Sequence, residues 1–150
     1  MSKLTKILAA TVLTIILIVG ASSLSAKTFV YLGYGKSNPV LTINPPKIYV
    51  GQTMANAIAC TDKYNIYNNK HNLLARIEGK KVYKKNTNRV ILIISSPLVY
   101  KTTNDVYILR DKVLYRGMGT TDPFCNFQGD TISQSQMVAT ILLLTNEIRE

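Results

Sequence analysis

The chain is poor in the residues that do chemistry. It has one histidine, His71, and two cysteines, Cys60 and Cys125, among 150 residues. A lone histidine with no Cys, Asp or Glu at ligand spacing gives no metal site. No cysteine or serine stands beside it as a nucleophile either, so His71 reads as a solvated loop residue. Acids are scarce, eight against eighteen Lys and Arg. Asp62, Glu78, Asp105, Asp111, Asp122, Asp130, Glu147 and Glu150 are scattered, and no pair suggests two carboxyls facing each other across a glycosidic bond. No Cys-x-x-Cys is present, which argues against a redox pair. Gly33-Tyr34-Gly35-Lys36-Ser37 ends like a phosphate loop, but Val30 stands where the first glycine belongs. There is no internal repeat and no low-complexity tail. These gaps leave no catalytic residue, no metal ligand and no cofactor to assign, and point to a non-enzymatic protein that acts by binding.

What is present begins with an address. Met1 to Lys6 is a short basic start, Ile7 to Val19 is apolar and uncharged, and Gly20 to Ala26 is a small-residue exit. That layout is a secretory signal peptide. The division expected is residues 1–26 as the signal and 27–150 as one secreted domain, large enough for its own core. The rival is an uncleaved anchor, with the membrane touched only through this segment. Either way the domain faces the periplasm or the exterior, and nucleic acid is excluded as a partner by compartment. The whole chain carries +10. Removing Lys3 and Lys6 leaves +10 − 2 = +8 on the mature domain. Such a surface favours anionic partners: an acidic protein face or an anionic envelope surface.

An even cysteine count in an oxidising compartment predicts a Cys60–Cys125 disulfide. Closing so long a loop would restrain the unfolded chain by about 4 kcal/mol.

The pattern along the chain predicts an α+β fold. A small antiparallel sheet carries a short central helix and an amphipathic C-terminal helix, with one disulfide. Phe29–Leu32 is a strand. The stretches flanking Asn44-Pro45-Pro46 are edge or crossing segments. Gln52 to Thr61 is a short helix with Cys60 on its inner face. Arg89 to Ile94 is a strand covered on both faces. Val106–Leu109 and Lys112–Arg116 form a hairpin about Arg110-Asp111. Thr131 to Gln134 is a capping box for a helix whose stripe is Met137, Val138, Ile141, Leu142 and Ile148.

The partner-binding candidates are basic and aromatic. Tyr64 and Tyr67 lie in a polar stretch, followed by Lys80, Lys81, Tyr83, Lys84 and Lys85. Arg110, Lys112, Tyr115 and Arg116 lie further on. Tyrosine and arginine give large contact area with a polar handle. The alternative is that lysines guard a sheet edge. Phe124-Cys125-Asn126-Phe127-Gln128-Gly129-Asp130-Thr131-Ile132-Ser133-Gln134, with the apolar helix after it, resembles the C-terminal block of the periplasmic Rap/Tai immunity proteins. The overall plan is similar to the periplasmic immunity proteins of colicin-type toxins. The resemblance implies an inhibitor that occupies the cleft of a protein toxin or lytic enzyme. The expected function is therefore periplasmic immunity against a bacteriocin or cell-wall-degrading toxin. The rivals are a secreted envelope- or host-binding module, such as a toxin subunit, and a small cell-wall hydrolase.

Overall fold

The computed structural model describes residues 26–148. The export segment expected over 1–26 lies outside them except for Ala26. The domain is a meander of twelve short antiparallel strands. They are β1 Thr28–Leu32, β2 Leu41–Asn44, β3 Lys47–Val50, β4 Ala57–Thr61, β5 Asn65–Asn68 and β6 Leu73–Glu78. The second half holds β7 Lys81–Lys84, β8 Val90–Ser96, β9 Val99–Thr102, β10 Val106–Arg110, β11 Val113–Arg116 and β12 Pro123–Gly129. Each strand pairs with its sequence neighbours, and β1 pairs with β12 from Thr28↔Gly129 to Leu32↔Cys125, closing a barrel. One helix, α1 Gln134–Leu144, follows.

The helix sits in the lumen. Every residue from Ser135 to Leu143 is buried. Nine residues turn through two and a half helical turns, so α1 is covered on all faces. In a domain with one closed wall, only the inside of that wall can cover it so. Val138, Ile141 and Leu142 share one core with the inward residues Val30, Ile43, Ile48, Val82 and Leu114. The dimensions agree. Eight strands leave room only for side chains, whereas twelve admit a helix about 10 Å across. Eleven helical residues rise about 16 Å, close to the roughly 13 Å height of five-residue strands tilted by about 40°.

Local chemistry fixes where the helix enters and leaves. Gly129, at φ +131°, ends β12, and a Cβ there would collide with the Lys27 carbonyl oxygen. Only glycine lets the chain cross the start of β1 and turn inward. Ser133 is the N-cap: its hydroxyl accepts from the Gln136 N–H at 3.2 Å, and the Gln136 side chain accepts from the Ser133 N–H at 2.9 Å. The far end closes with Asn146 at φ +61°, its N–H donating to the Leu143 carbonyl at 3.3 Å and the Glu147 N–H to that of Leu142 at 2.9 Å. These two bonds satisfy the last carbonyls of the helix, and Ile148 is buried just beyond.

Several expectations from the sequence are overturned. The architecture is a closed barrel around a helix, not an α+β sheet with helices packed on it. The Cys60–Cys125 disulfide does not form, and both thiols are free. Cys125 is an inward residue of β12, opposite Leu114 and Leu32. Cys60 lies between the inward residues Ala59 and Thr61 on β4 and so faces outward. Four strand-to-strand steps, about 19 Å of wall, separate β12 from β4. A disulfide spans Cα atoms no more than about 7 Å apart. Burial pushes the Cys125 thiol up to about 12, leaving an inert core group.

The short helix expected over Gln52 to Thr61 is a loop followed by β4. The prolines do not mark an edge: Pro45-Pro46 is the turn between β2 and β3, and a closed barrel has no edge. The continuous apolar run in β8 is not covered on both faces, since Ile93 is 42% exposed. The capping box is Ser133 with Gln136, two residues past Thr131 and Gln134. The expected stripe is not a stripe either, because α1 buries all its sides. The hairpin between β10 and β11 is observed, with Asp111-Lys112 as its turn.

Candidate functional site

The barrel has two rims. At the entry rim, β12 delivers the chain to α1. Here lie the turns 45–46, 62–64, 79–80, 97–98 and 111–112. At the exit rim α1 ends among the loops 33–40, 51–56, 69–72, 85–89, 103–105 and 117–122.

The entry rim gathers Lys27, Lys47, Lys63, Lys80, Lys81, Arg110 and Lys112, all exposed. Among the described residues none of them is in an ion pair. Two of the four acids at this rim are committed elsewhere. The Asp62 carboxylate accepts from the N–H groups of Tyr64 at 2.8 Å and Asn65 at 2.7 Å, and from the Tyr67 hydroxyl at 3.2 Å. Slight burial would raise its pKa, but these bonds, with that from the Asn65 side chain, outweigh it and hold the carboxyl below its usual range. Glu78 accepts from Arg76 Nε at 2.6 Å. Glu78 is compensated by Arg76, so Asp62, which stays ionised, with Asp111 and Asp130 stand against the seven cations.

Two exposed apolar side chains stand among these charges, Tyr64 at 55% and Leu98 at 52%. A crevice of about 340 Å³ opens between Lys63, Tyr64, Ile77 and Gly79 and the start of α1 at Ser133. Just below the rim, Lys81, Ile93 and Lys101 are cross-strand neighbours on the outer wall. This surface combines unpaired positive charge, apolar knobs and a socket.

The structure divides the basic and aromatic candidates three ways. Tyr64, Lys80, Lys81, Arg110 and Lys112 meet at the entry rim. Tyr67, Tyr83 and Tyr115 lie on the outer wall. Tyr83 stacks under Arg76, whose guanidinium carbon is 4.6 Å from the ring centroid. Arg76 also donates to the Lys85 and Thr87 carbonyls, so it clamps the β7–β8 turn. Lys84, Lys85 and Arg116 sit at the exit rim. Arg116 lies between Asp105 at 3.8 Å and Asp122 at 3.9 Å. That ion-paired arrangement orders loops rather than presenting charge. Lys27, Lys47, Lys63 and Leu98 were missed. Their signal was turn position, which becomes visible only once strand ends are known.

His71 is exposed at φ +61° in the β5–β6 loop. Among the described residues no three of His, Cys, Asp and Glu gather as metal ligands. A cavity of about 530 Å³ at the exit rim has an apolar floor of Val50, Ile58, Leu74, Leu143 and Ile148 beneath Asn68 and Lys70.

No family model, no curated protein and no solved structure matches the chain.

Proposed function

We propose that the chain is an exported inhibitor, an immunity protein of the periplasm, that neutralises a toxin or cell-wall-lytic enzyme by docking its entry rim on an acidic face of that partner. The carrying observation is the rim itself, where seven exposed cations stand around Tyr64 and Leu98 without ion-pair partners among the described residues. Unpaired charge on a rigid frame speeds encounter with an oppositely charged surface. Exposed aromatic and aliphatic anchors then supply the desolvated centre of an interface. Inhibition of this kind needs shape and charge and no catalytic group. The export-type N-terminal sequence and the resemblance of the Phe124 to Gln134 block to Rap/Tai immunity proteins support the compartment and the target class.

The test is capture followed by inhibition. The protein is used to capture partners at low salt, and the captured protein is assayed for lysis of purified cell walls. Wild-type chain is expected to suppress that lysis. A Lys80→Glu, Lys81→Glu double variant should fail to do so at the same concentration. A captured protein without lytic activity, or lysis suppressed equally by both forms, would overturn the proposal.

A further inference from the structure

We infer that a groove on the outer wall, between the β1–β2 strap and the β10–β11 turn, is a binding site for a carboxylate-bearing sugar. The groove encloses about 500 Å³ and lies between Tyr34 and Lys36 on one side and Asp111 and Lys112 on the other. Asn126 and Gln128 are also in its lining.

The strap is built, not draped. Asn126 is 3% exposed although it faces away from the lumen. Its Nδ2 donates to the Gly33 carbonyl at 2.8 Å and the Gly35 carbonyl at 2.9 Å. A buried amide is thereby spent on fixing the strap's backbone against β12. The Tyr34 hydroxyl meets that of Tyr115 at 3.2 Å, with the rings edge to face. The opposite bank is held as firmly. Asp111 and Lys112 both have positive φ, +49° and +63°, in a two-residue turn where Asn-Gly is the unstrained choice. Lys112 Nζ donates to the Gly129 carbonyl at 2.7 Å. A strained turn that keeps a charged pair is the pattern of a site whose side chains are needed.

The chemistry follows from what is left unengaged. Lys36 makes no hydrogen bond or ion pair among the described residues, and Lys112 retains further N–H donors for a second contact. Two ammonium groups on opposite banks against the single carboxylate of Asp111 leave the groove net positive, which suits a carboxylate between the lysines. Gln128 spends its NH₂ on Asn126 Oδ1 at 2.9 Å, which leaves its carbonyl oxygen to accept from a hydroxyl. Tyr34, 60% exposed, offers a flat apolar face of the kind a pyranose covers with its C–H bonds, with a hydroxyl at the ring's tip. A few convergent polar groups beside one aromatic face mark a small-ligand site. An acidic sugar could come from the lactyl-bearing hexosamine of a cell wall or from a uronic-acid polysaccharide.

The experiment titrates the purified full chain with three probes by calorimetry. They are a muramic-acid-containing disaccharide, a galacturonic-acid dimer and the neutral N-acetylglucosamine dimer. At least one acidic sugar is expected to saturate the site and to bind about tenfold more tightly than the neutral dimer, the effect of one charge-assisted contact. Preference between the two acids identifies the source. Lys36→Gln and Lys112→Asn should each cost about tenfold. Asparagine accepts the positive φ of its turn, and circular dichroism checks that each variant is folded. No saturation by either acid, equal affinity for the neutral dimer, or unchanged affinity in the folded Lys36→Gln variant would overturn the inference. Lys80 and Lys81 lie outside this groove, so its failure leaves the entry-rim proposal standing.

Discussion

At the entry rim Lys47, Lys80, Lys81 and Arg110 face solvent outside any ion pair among the described residues, although Glu78 is the cross-strand partner of Lys81 and Asp111 follows Arg110. Asp62 and Glu78 accept bonds from Tyr64, Asn65 and Arg76. At the exit rim Arg116 is shared by Asp105 and Asp122, and the floor of the cavity beside Leu143 is apolar. Arg116 is spent on holding loops at the exit rim, whereas none of the seven entry-rim cations is in an ion pair among the described residues. Exposed ion pairs contribute little to stability, about 0–1 kcal/mol, so fold stability alone does not require the pairing at the exit rim or forbid it at the entry rim. What the difference changes is the field each end presents. The entry rim gathers seven exposed cations outside any ion pair among the described residues, against Lys36, Lys70 and Arg89 at the exit rim.

Both rims hang on one element, the helix between them. The largest expected effect therefore tests whether they are separable. Leu142 is fully buried at the centre of the core. Leu142→Ala should destabilise the domain by about 2–5 kcal/mol. Chemical denaturation followed by hydrogen exchange at both rims should show the two ends losing protection together. Loss at the exit rim alone would mean that the wall supports the entry rim without the helix.

The charge comparison has its own test. Lys80→Glu with Lys81→Glu should weaken capture of an acidic partner by at least about tenfold at low salt, an effect that shrinks as salt screens the rim. The matched pair Lys70→Glu with Arg89→Glu at the exit rim should change it little. Equal losses at the two ends would show that net charge, not the entry rim, governs association.

Local pattern made parts of this legible. The β10–β11 hairpin was readable because Val106 to Arg116 alternates about a polar turn. The helical end was readable from its apolar content. Closure was not. It rests on Thr28 meeting Gly129, a contact between chain ends that no short window reports. Strands of four or five residues also look like anything else: Ala57, Ile58, Ala59 and Cys60 favour a helix by composition, and only pairing with Lys47 and Tyr67 makes them β4. The disulfide expectation failed for a related reason. Counting cysteines says nothing of which side of a wall each one faces. The stripe Met137, Val138, Ile141, Leu142 and Ile148 predicts a one-sided helix, but Ser135 and Thr140 on its other faces are not turned to solvent. In the lumen they are buried with internal bonds, Thr140 to the Gln136 carbonyl at 2.8 Å. Of the basic candidates, the two at 80 and 81 were found together, but the rim they share with Lys27 and Lys47 exists only in three dimensions.

A smaller effect concerns how α1 is started at the entry rim. Ser133→Ala removes the cap that accepts from Gln136 and should cost about 1 kcal/mol. Ser133→Asp should largely restore it. Thermal unfolding of the three forms measures this. No change in the alanine variant would mean that burial alone orders the first turn.

The smallest effect asks whether the acid nearest the rim lysines is truly withdrawn from them. The Asp62 carboxylate is held below its ordinary value of 3.8 by hydrogen bonds from Tyr64, Asn65 and Tyr67, which outweigh the raising effect of slight burial. A group with a depressed folded pKa contributes stability above its unfolded pKa and loses it as pH falls through the folded value. The stability gap between wild type and Asp62→Asn should therefore be constant near neutral pH and shrink below about pH 4. Since Asp62 is well exposed, the gap should be slight, and denaturation at a series of pH values measures it. A gap that widens on acidification would show that the carboxylate is not held by these donors. The folded state would then favour the neutral acid, and Asp62 would give up the negative charge it holds beside Lys63 at a higher pH than the unfolded chain does.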